Sequence, residues 1–139
     1  MHPPSVQPYL FFGGRCDEAI AFYRDAIGAQ LEMRMQFDES PVPLPPGAIP
    51  PGFGNKVMHA ALRIGQHTLL VSDGNGAPHA FQGFALSLLL ANEAAARQAF
   101  ETLSAGGEIT LPLSATFWSG CFGMLRDRFG VAWMVGIVP

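Results

Sequence analysis

The sequence predicts an α+β fold in which two βαβββ modules follow one another along the chain. Three observations carry that prediction. Strand and helix patterns recur in the same order in each half. The helix starts "DEA" (17–19) and "NEA" (92–94) lie 75 residues apart. The apolar period also switches between two and 3.6 at matching places. The modules span about 5–73 and 83–138, and each is too small to be stable alone, so they are expected to pack as a single domain.

In the first module "VQPYLFF" (6–12) reads as a strand that ends at Gly13-Gly14. "DEAIAFYRDAIG" (17–28) reads as a helix, with Ala19, Phe22, Tyr23, Ala26 and Ile27 on an apolar stripe. Asp17 and Glu18 suit the positive end of its dipole, and Gly28 suits its C-terminal cap. "AQLEMRMQF" (29–37) alternates apolar and polar residues, the mark of a half-buried strand. In "SPVPLPPGAIPPG" (40–52) six of thirteen residues are proline, which excludes a helix or central strand. That stretch is a stiff spacer or a lid. Strands follow at 56–65 and 67–73, and "GNGAPHAFQG" (74–83) is a linker by composition.

The second module opens with the strand "FALSLLLA" (84–91). Asn92 is a good N-cap for the helix after it, on which Ala96, Ala99, Phe100 and Leu103 form the buried stripe. Gly106-Gly107 end that helix. "EITLPLSA" is a strand, and "CFGMLRD" and "VAWMVGIV" form a closing hairpin around Asp127-Arg128-Phe129-Gly130.

Bulk properties narrow the function. The chain has 139 residues, 49% of them hydrophobic and 14% charged, with a net charge of −3. Seven of its eight basic residues are scattered arginines, so no electrostatic footprint for nucleic acid exists. The longest apolar runs fall far short of the roughly 20 residues that span a bilayer. The N-terminus lacks the pattern of a secretion signal. A cytoplasmic protein with no membrane partner is expected. Cys16 and Cys121 suggest neither a disulfide framework nor a CxxC site.

Few residues bear chemistry. His59 lies mid-strand in "VMHAALR", where imidazole can serve as general base, as ligand hydrogen-bond partner, or as a packed strand residue. Trp118 in "TFWSG" offers a flat wall for a planar or apolar ligand, or ordinary core or interface packing. Ser72 and Asp73 close a strand, where they either bind a ligand or start the turn at Gly74. Phe12, Met35, Met124 and Met134 are core residues or ligand contacts, methionine being an adaptable pocket lining. His2, His67 and His79 lie at a terminus or in turns, without metal-ligand spacing. Neither a phosphate-binding glycine loop nor a G-x-S-x-G nucleophile motif is present.

The duplicated order, together with "PYLFFGG", "DEAIAFYRDAIGA", "VMHAALRIG", "LLVSDG", "AGGEITLPL" and "TFWSGCFGMLRDRFGVAWMV", resembles the PhnB-like branch of the vicinal oxygen chelate superfamily. That superfamily includes glyoxalase I, extradiol dioxygenases and fosfomycin- and bleomycin-resistance proteins. The resemblance implies the glyoxalase/bleomycin resistance fold, a curled eight-stranded mixed sheet around a cup-shaped cavity, and a homodimer. Metal-using members place four ligands in the cup, usually His or Glu. Carried across, those positions fall near Pro8, at Ser72 or Asp73, near Ala85 and at Met134, so three of the four cannot supply a His or carboxylate. No metal and no cofactor are therefore expected.

Two functions are compatible with these features. One is a small-molecule binding protein with an apolar cavity that sequesters its ligand, contacting it through Trp118, Ser72, Asp73, Phe12, Met124 and Met134. The other is a lyase, isomerase or transferase with His59 as general base. The demethylubiquinone methyltransferase label common in this branch ranks last, because no S-adenosylmethionine loop is visible.

Overall fold

The computed structural model describes residues 2–139, which divide into two compact units with the boundary between residues 79 and 80. Its eight strands and two helices give the α+β class, with the strands hydrogen-bonded as two four-stranded mixed sheets, one in each unit.

The first unit contains β1 (Tyr9–Phe11), α1 (Cys16–Ile27), β2 (Gln30–Gln36), a 3₁₀ turn (Phe37–Glu39), β3 (Val57–Ile64) and β4 (His67–Ser72). The strand order is β1-β4-β3-β2, with β1 parallel to β4 and the remaining pairs antiparallel. The parallel pair is made possible by the long excursion through α1, β2 and β3.

Helix α1 starts one residue earlier than expected and has no local side-chain cap. Its N-terminus is capped instead from the far side of the module. Asp73, just past β4, accepts the backbone N–H of Gly14 at 2.7 Å and of Cys16 at 2.8 Å on Oδ1. Its Oδ2 accepts the N–H of Val57 at 2.9 Å. A buried carboxylate thus satisfies donors that the first helical turn leaves open. At the other end Gly28 takes a left-handed conformation (φ 68°), and its N–H donates to the Arg24 carbonyl at 3.1 Å. The buried side of α1 consists of Cys16, Ala19, Ile20 and Tyr23. Of the expected stripe, Phe22, Ala26 and Ile27 are only half-buried, because the covered arc centres on Ala19 and Tyr23 and takes in Ile20.

The second unit repeats the plan with β5 (Leu86–Leu90), α2 (Glu93–Ser104), β6 (Glu108–Ser114), β7 (Phe122–Arg126) and β8 (Ala132–Ile137). Its order, β5-β8-β7-β6, matches that of the first sheet position by position, again with its first strand parallel to its last. Asn92 caps α2 by accepting the N–H of Ala95 at 2.9 Å, and Ala96, Ala99, Phe100 and Leu103 are buried as the sequence predicts. Pro112 lies in the edge strand β6, where the pairing with β7 is irregular and an N–H can be missing.

The β7–β8 turn is built on Asp127. Its Oδ1 accepts the N–H of Phe129 at 2.9 Å and of Val131 at 3.0 Å, and its Oδ2 accepts the Trp133 indole N–H at 2.9 Å. Gly130 provides the positive φ of 88° that closes the turn. Among the described residues no helix is long and apolar enough to cross a membrane.

Candidate functional site

Each sheet has one face covered by its helix and one face free of it. Strand alternation decides which residues go where. In the first unit α1 packs on β2 and β3, and Leu10, Ala60, Leu62, Leu69 and Val71 are buried on its side. The register sets Phe11 opposite Ser72, Tyr9 opposite Leu70 and Met35 opposite His59. Tyr9, Phe11, Met35 and His59 therefore belong to the helix-free face.

On that face the Tyr9 and Phe11 rings are stacked, with centroids 5.0 Å apart and planes 17° from parallel. The Tyr9 hydroxyl and His59 Nδ1 are hydrogen-bonded at 2.9 Å. The His59 ring lies 5.7 Å from that of Tyr9, and His79 lies 6.1 Å from Phe11. Tyr9 and Phe11 are each 40% exposed and His59 is half-buried. Burial pushes the Tyr9 phenol above its ordinary pKa, so it is a neutral O–H at physiological pH.

In the second unit α2 packs on all four strands, with Leu125, Trp133 and Val135 buried. Met124 pairs with Met134, Met134 with Ser87 and Leu111 with Met124. These residues, together with Phe122, occupy the face away from α2. Trp118 meets Phe122 edge-on, with centroids 5.5 Å apart, and meets Phe117 at 4.6 Å. Trp118 is 59% exposed. Three of the residues singled out in the sequence, Trp118, Met124 and Met134, thus share one apolar face.

Three of the expected ligand contacts, Phe12, Asp73 and Ser72, take structural roles instead. Phe12 is not on the helix-free face: it is buried, and its ring sits 6.3 Å from that of Tyr23 on α1. Alternation along β1 gives the open side to Phe11, its neighbour. Asp73 is buried, and both of its carboxylate oxygens are held by backbone N–H groups, so it is a helix cap and a strand link. Ser72 is also buried; its Oγ donates to the Met58 carbonyl at 2.8 Å and accepts the N–H of Gly74 at 2.9 Å. That is the turn-starting alternative of the two readings.

The sequence reading missed Tyr9 and Phe11 and set His79 aside as a turn residue. In "PYLFF" both faces of the strand are apolar or aromatic, so hydrophobic patterning could not separate them. The one usable signal was the Tyr9 hydroxyl, which favours a wet face.

Comparison with known proteins follows the same outline. The model of the Glyoxalase/Bleomycin resistance protein/Dioxygenase superfamily matches residues 5–135. Protein YjdN of Escherichia coli K12 is 34% identical over 96% of this chain and 95% of its own. The crystal structure of protein PA1353 from Pseudomonas aeruginosa is 37% identical, with a TM-score of 0.84 over 97% of this chain and 98% of that one. A Bacillus cereus PhnB protein, whose name describes a 3-demethylubiquinone-9 3-methyltransferase, is 24% identical with a TM-score of 0.78. It covers 97% of this chain and its own whole length, so the resemblance to the PhnB-like branch holds in the fold.

Proposed function

Since the chain belongs to the Glyoxalase/Bleomycin resistance protein/Dioxygenase superfamily, we propose that it is a small-molecule binding protein whose ligand lies against the helix-free face around Tyr9, Phe11 and His59. The stacked Tyr9–Phe11 pair carries the proposal. Two stacked rings, both accessible and flanked by an imidazole, offer an outer aromatic face with a polar handle, the usual composition of a small-molecule site. For the second unit taken by itself, Trp118, Met124 and Met134 are proposed as contacts of a ligand on its own helix-free face, where an accessible indole adjoins adaptable thioethers.

Binding in this proposal does not depend on a metal. A divalent cation needs several converging N or O donors. At the superfamily's ligand positions Pro8 and Ala85 have no donor side chain, and Met134 has only a thioether. Ser72 and Asp73 are engaged in the hydrogen bonds described above. Among the described residues no three His, Cys, Asp or Glu side chains are grouped to hold an ion. These residues do not fit the group that metal-using relatives bind.

Methyl transfer finds no support in the architecture, since neither mixed sheet is the doubly wound parallel sheet in which S-adenosylmethionine ordinarily sits. General-base chemistry at His59 is the second reading, favoured by its place on an accessible face beside a hydroxyl. A homodimer is also proposed. The exposed apolar residues Ile109 and Leu111 on the edge strand β6 support it, and light scattering at micromolar concentration tests it.

Calorimetric titration with 2-ethylnaphthalene, a flat apolar probe, tests the binding proposal. Phe11→Ala is expected to weaken it by about tenfold while the protein remains folded. Unchanged affinity in that variant rejects the platform.

A further inference from the structure

We infer that Tyr9 is a positioning residue that holds His59 as the Nε2–H tautomer, so that the site takes planar ligands bearing a carbonyl or carboxylate oxygen. The inference rests on the binding proposal above and names its ligand class.

A neutral imidazole has one donor and one acceptor nitrogen, and the partner of one nitrogen fixes the state of the other. Here the partner of Nδ1 is the Tyr9 hydroxyl, 2.9 Å away. A phenol O–H is a stronger donor than a neutral imidazole N–H. The sp² ring nitrogen is in turn a better acceptor than a phenol oxygen, whose lone pair is conjugated with its ring. The bond therefore runs from Tyr9 O–H to Nδ1, and the imidazole proton resides on Nε2.

Nε2 has no hydrogen-bond partner among the described residues: the Tyr9 bond is the one that His59 makes. Among the described residues no buried side-chain nitrogen or oxygen lacks a partner either, so the half-buried His59 presents Nε2 to solvent. The result is a directed N–H donor on a ring whose centroid lies 5.7 Å from that of Tyr9, beside the stacked pair. Such a group recognises an oxygen acceptor on a flat ligand. A protonated Nε2 cannot accept a substrate proton, so this tautomer and the general-base reading are alternatives that the spectra below separate.

Tyr9 acts through His59, so the test needs a readout that a merely structural role would not move. Long-range proton–nitrogen spectra of the ¹⁵N-labelled full chain report the tautomer directly. The expected result is a protonated Nε2 and a hydrogen-bonded, unprotonated Nδ1, with both tautomers populated in Tyr9→Phe. In parallel, 2-acetonaphthone is compared with 2-ethylnaphthalene, which has the same outline without the oxygen. Their affinity ratio is expected to fall about fivefold in His59→Leu, the ordinary contribution of one hydrogen bond. Comparing the ratio between proteins cancels the probes' different hydrophobicity. A wild-type Nδ1–H tautomer overturns the inference and leaves ligand binding intact. So does a ratio that His59→Leu leaves unchanged. If neither probe binds and the Tyr9, Phe11 and His59 signals stay unmoved, the binding proposal fails and the inference with it.

Discussion

Asp73 and Val57 are joined twice: the Asp73 N–H donates to the Val57 carbonyl at 2.9 Å, and the Val57 N–H donates to Asp73 Oδ2 at 2.9 Å. The same carboxylate caps α1 through Gly14 and Cys16. One buried side chain therefore ties together the start of β3, the end of β4 and the start of the helix. Asp73→Ala removes the acceptor for three N–H donors and is expected to cost about 3 kcal/mol or more, since each bond to a charged acceptor contributes about 1.5–3 kcal/mol. Urea unfolding of wild type and variant measures this; a loss below about 1 kcal/mol contradicts the bracket.

Cys16 makes stability depend on alkaline pH. Burial, then the nearby carboxylates of Asp73 and Asp17, push its thiol far above the ordinary value of 9.0. In the unfolded chain the thiol ionises near that ordinary value, whereas in the folded chain it stays neutral. Above pH 9.0 the unfolded state is the one that has lost the proton, so stability falls as pH rises. Below that pH both states hold the proton and the group has no effect. Urea midpoints on either side of this value are expected to fall in wild type, and to fall less in Cys16→Ala.

The turn after α2 tolerates no side chain at Gly107. A Cβ there would overlap the Arg126 carbonyl oxygen and come within 2.8 Å of the Asp127 carbonyl carbon. Both obstacles are backbone and cannot swing aside. Gly107→Ala is expected to destabilise by about 1–3 kcal/mol, the range for overpacking, whereas Gly28→Ala meets no atom and is strained only by its φ of 68°. Equal steric damage at both sites, read from chemical shifts of the flanking residues, would speak against this reading.

Trp133 contributes through its indole N–H as well as its rings. Trp133→Phe removes the donor to Asp127 Oδ2 and is expected to cost about 1–3 kcal/mol, the ordinary penalty for withdrawing one partner of a buried polar pair. Thermal unfolding checks it, with Trp118→Phe as an accessible control whose expected cost is within about 0.5 kcal/mol.

Much of the fold was legible in the sequence because it depends on local rules. The stripe on α2 matched residue for residue: alanines fill its close contacts and Asn92 marks its start. Helix α1 was harder to read. Its cap, Asp73, lies 57 residues from Cys16 in the chain, and no local pattern announces a partner at that separation. The candidate site suffered from a different ambiguity. Leu10, Phe11 and Phe12 are all hydrophobic, so period two offers two equally apolar faces. Only the pairing of β1 with β4, with Phe11 set opposite Ser72, decides which one is left uncovered. The β7–β8 hairpin was easier to anticipate, because the turn at Asp127-Arg128-Phe129-Gly130 is recognisable in the sequence.

The central claim is that the Tyr9–Phe11–His59 face takes a flat ligand, and a chemical-shift map of the full chain titrated with 2-acetonaphthone tests it most directly. The expected map shows saturable shifts centred on the rings of Tyr9, Phe11 and His59 and the methyl of Met35. Shifts centred instead on Phe12 and Tyr23 beneath α1, or no saturable shifts at all, would contradict it.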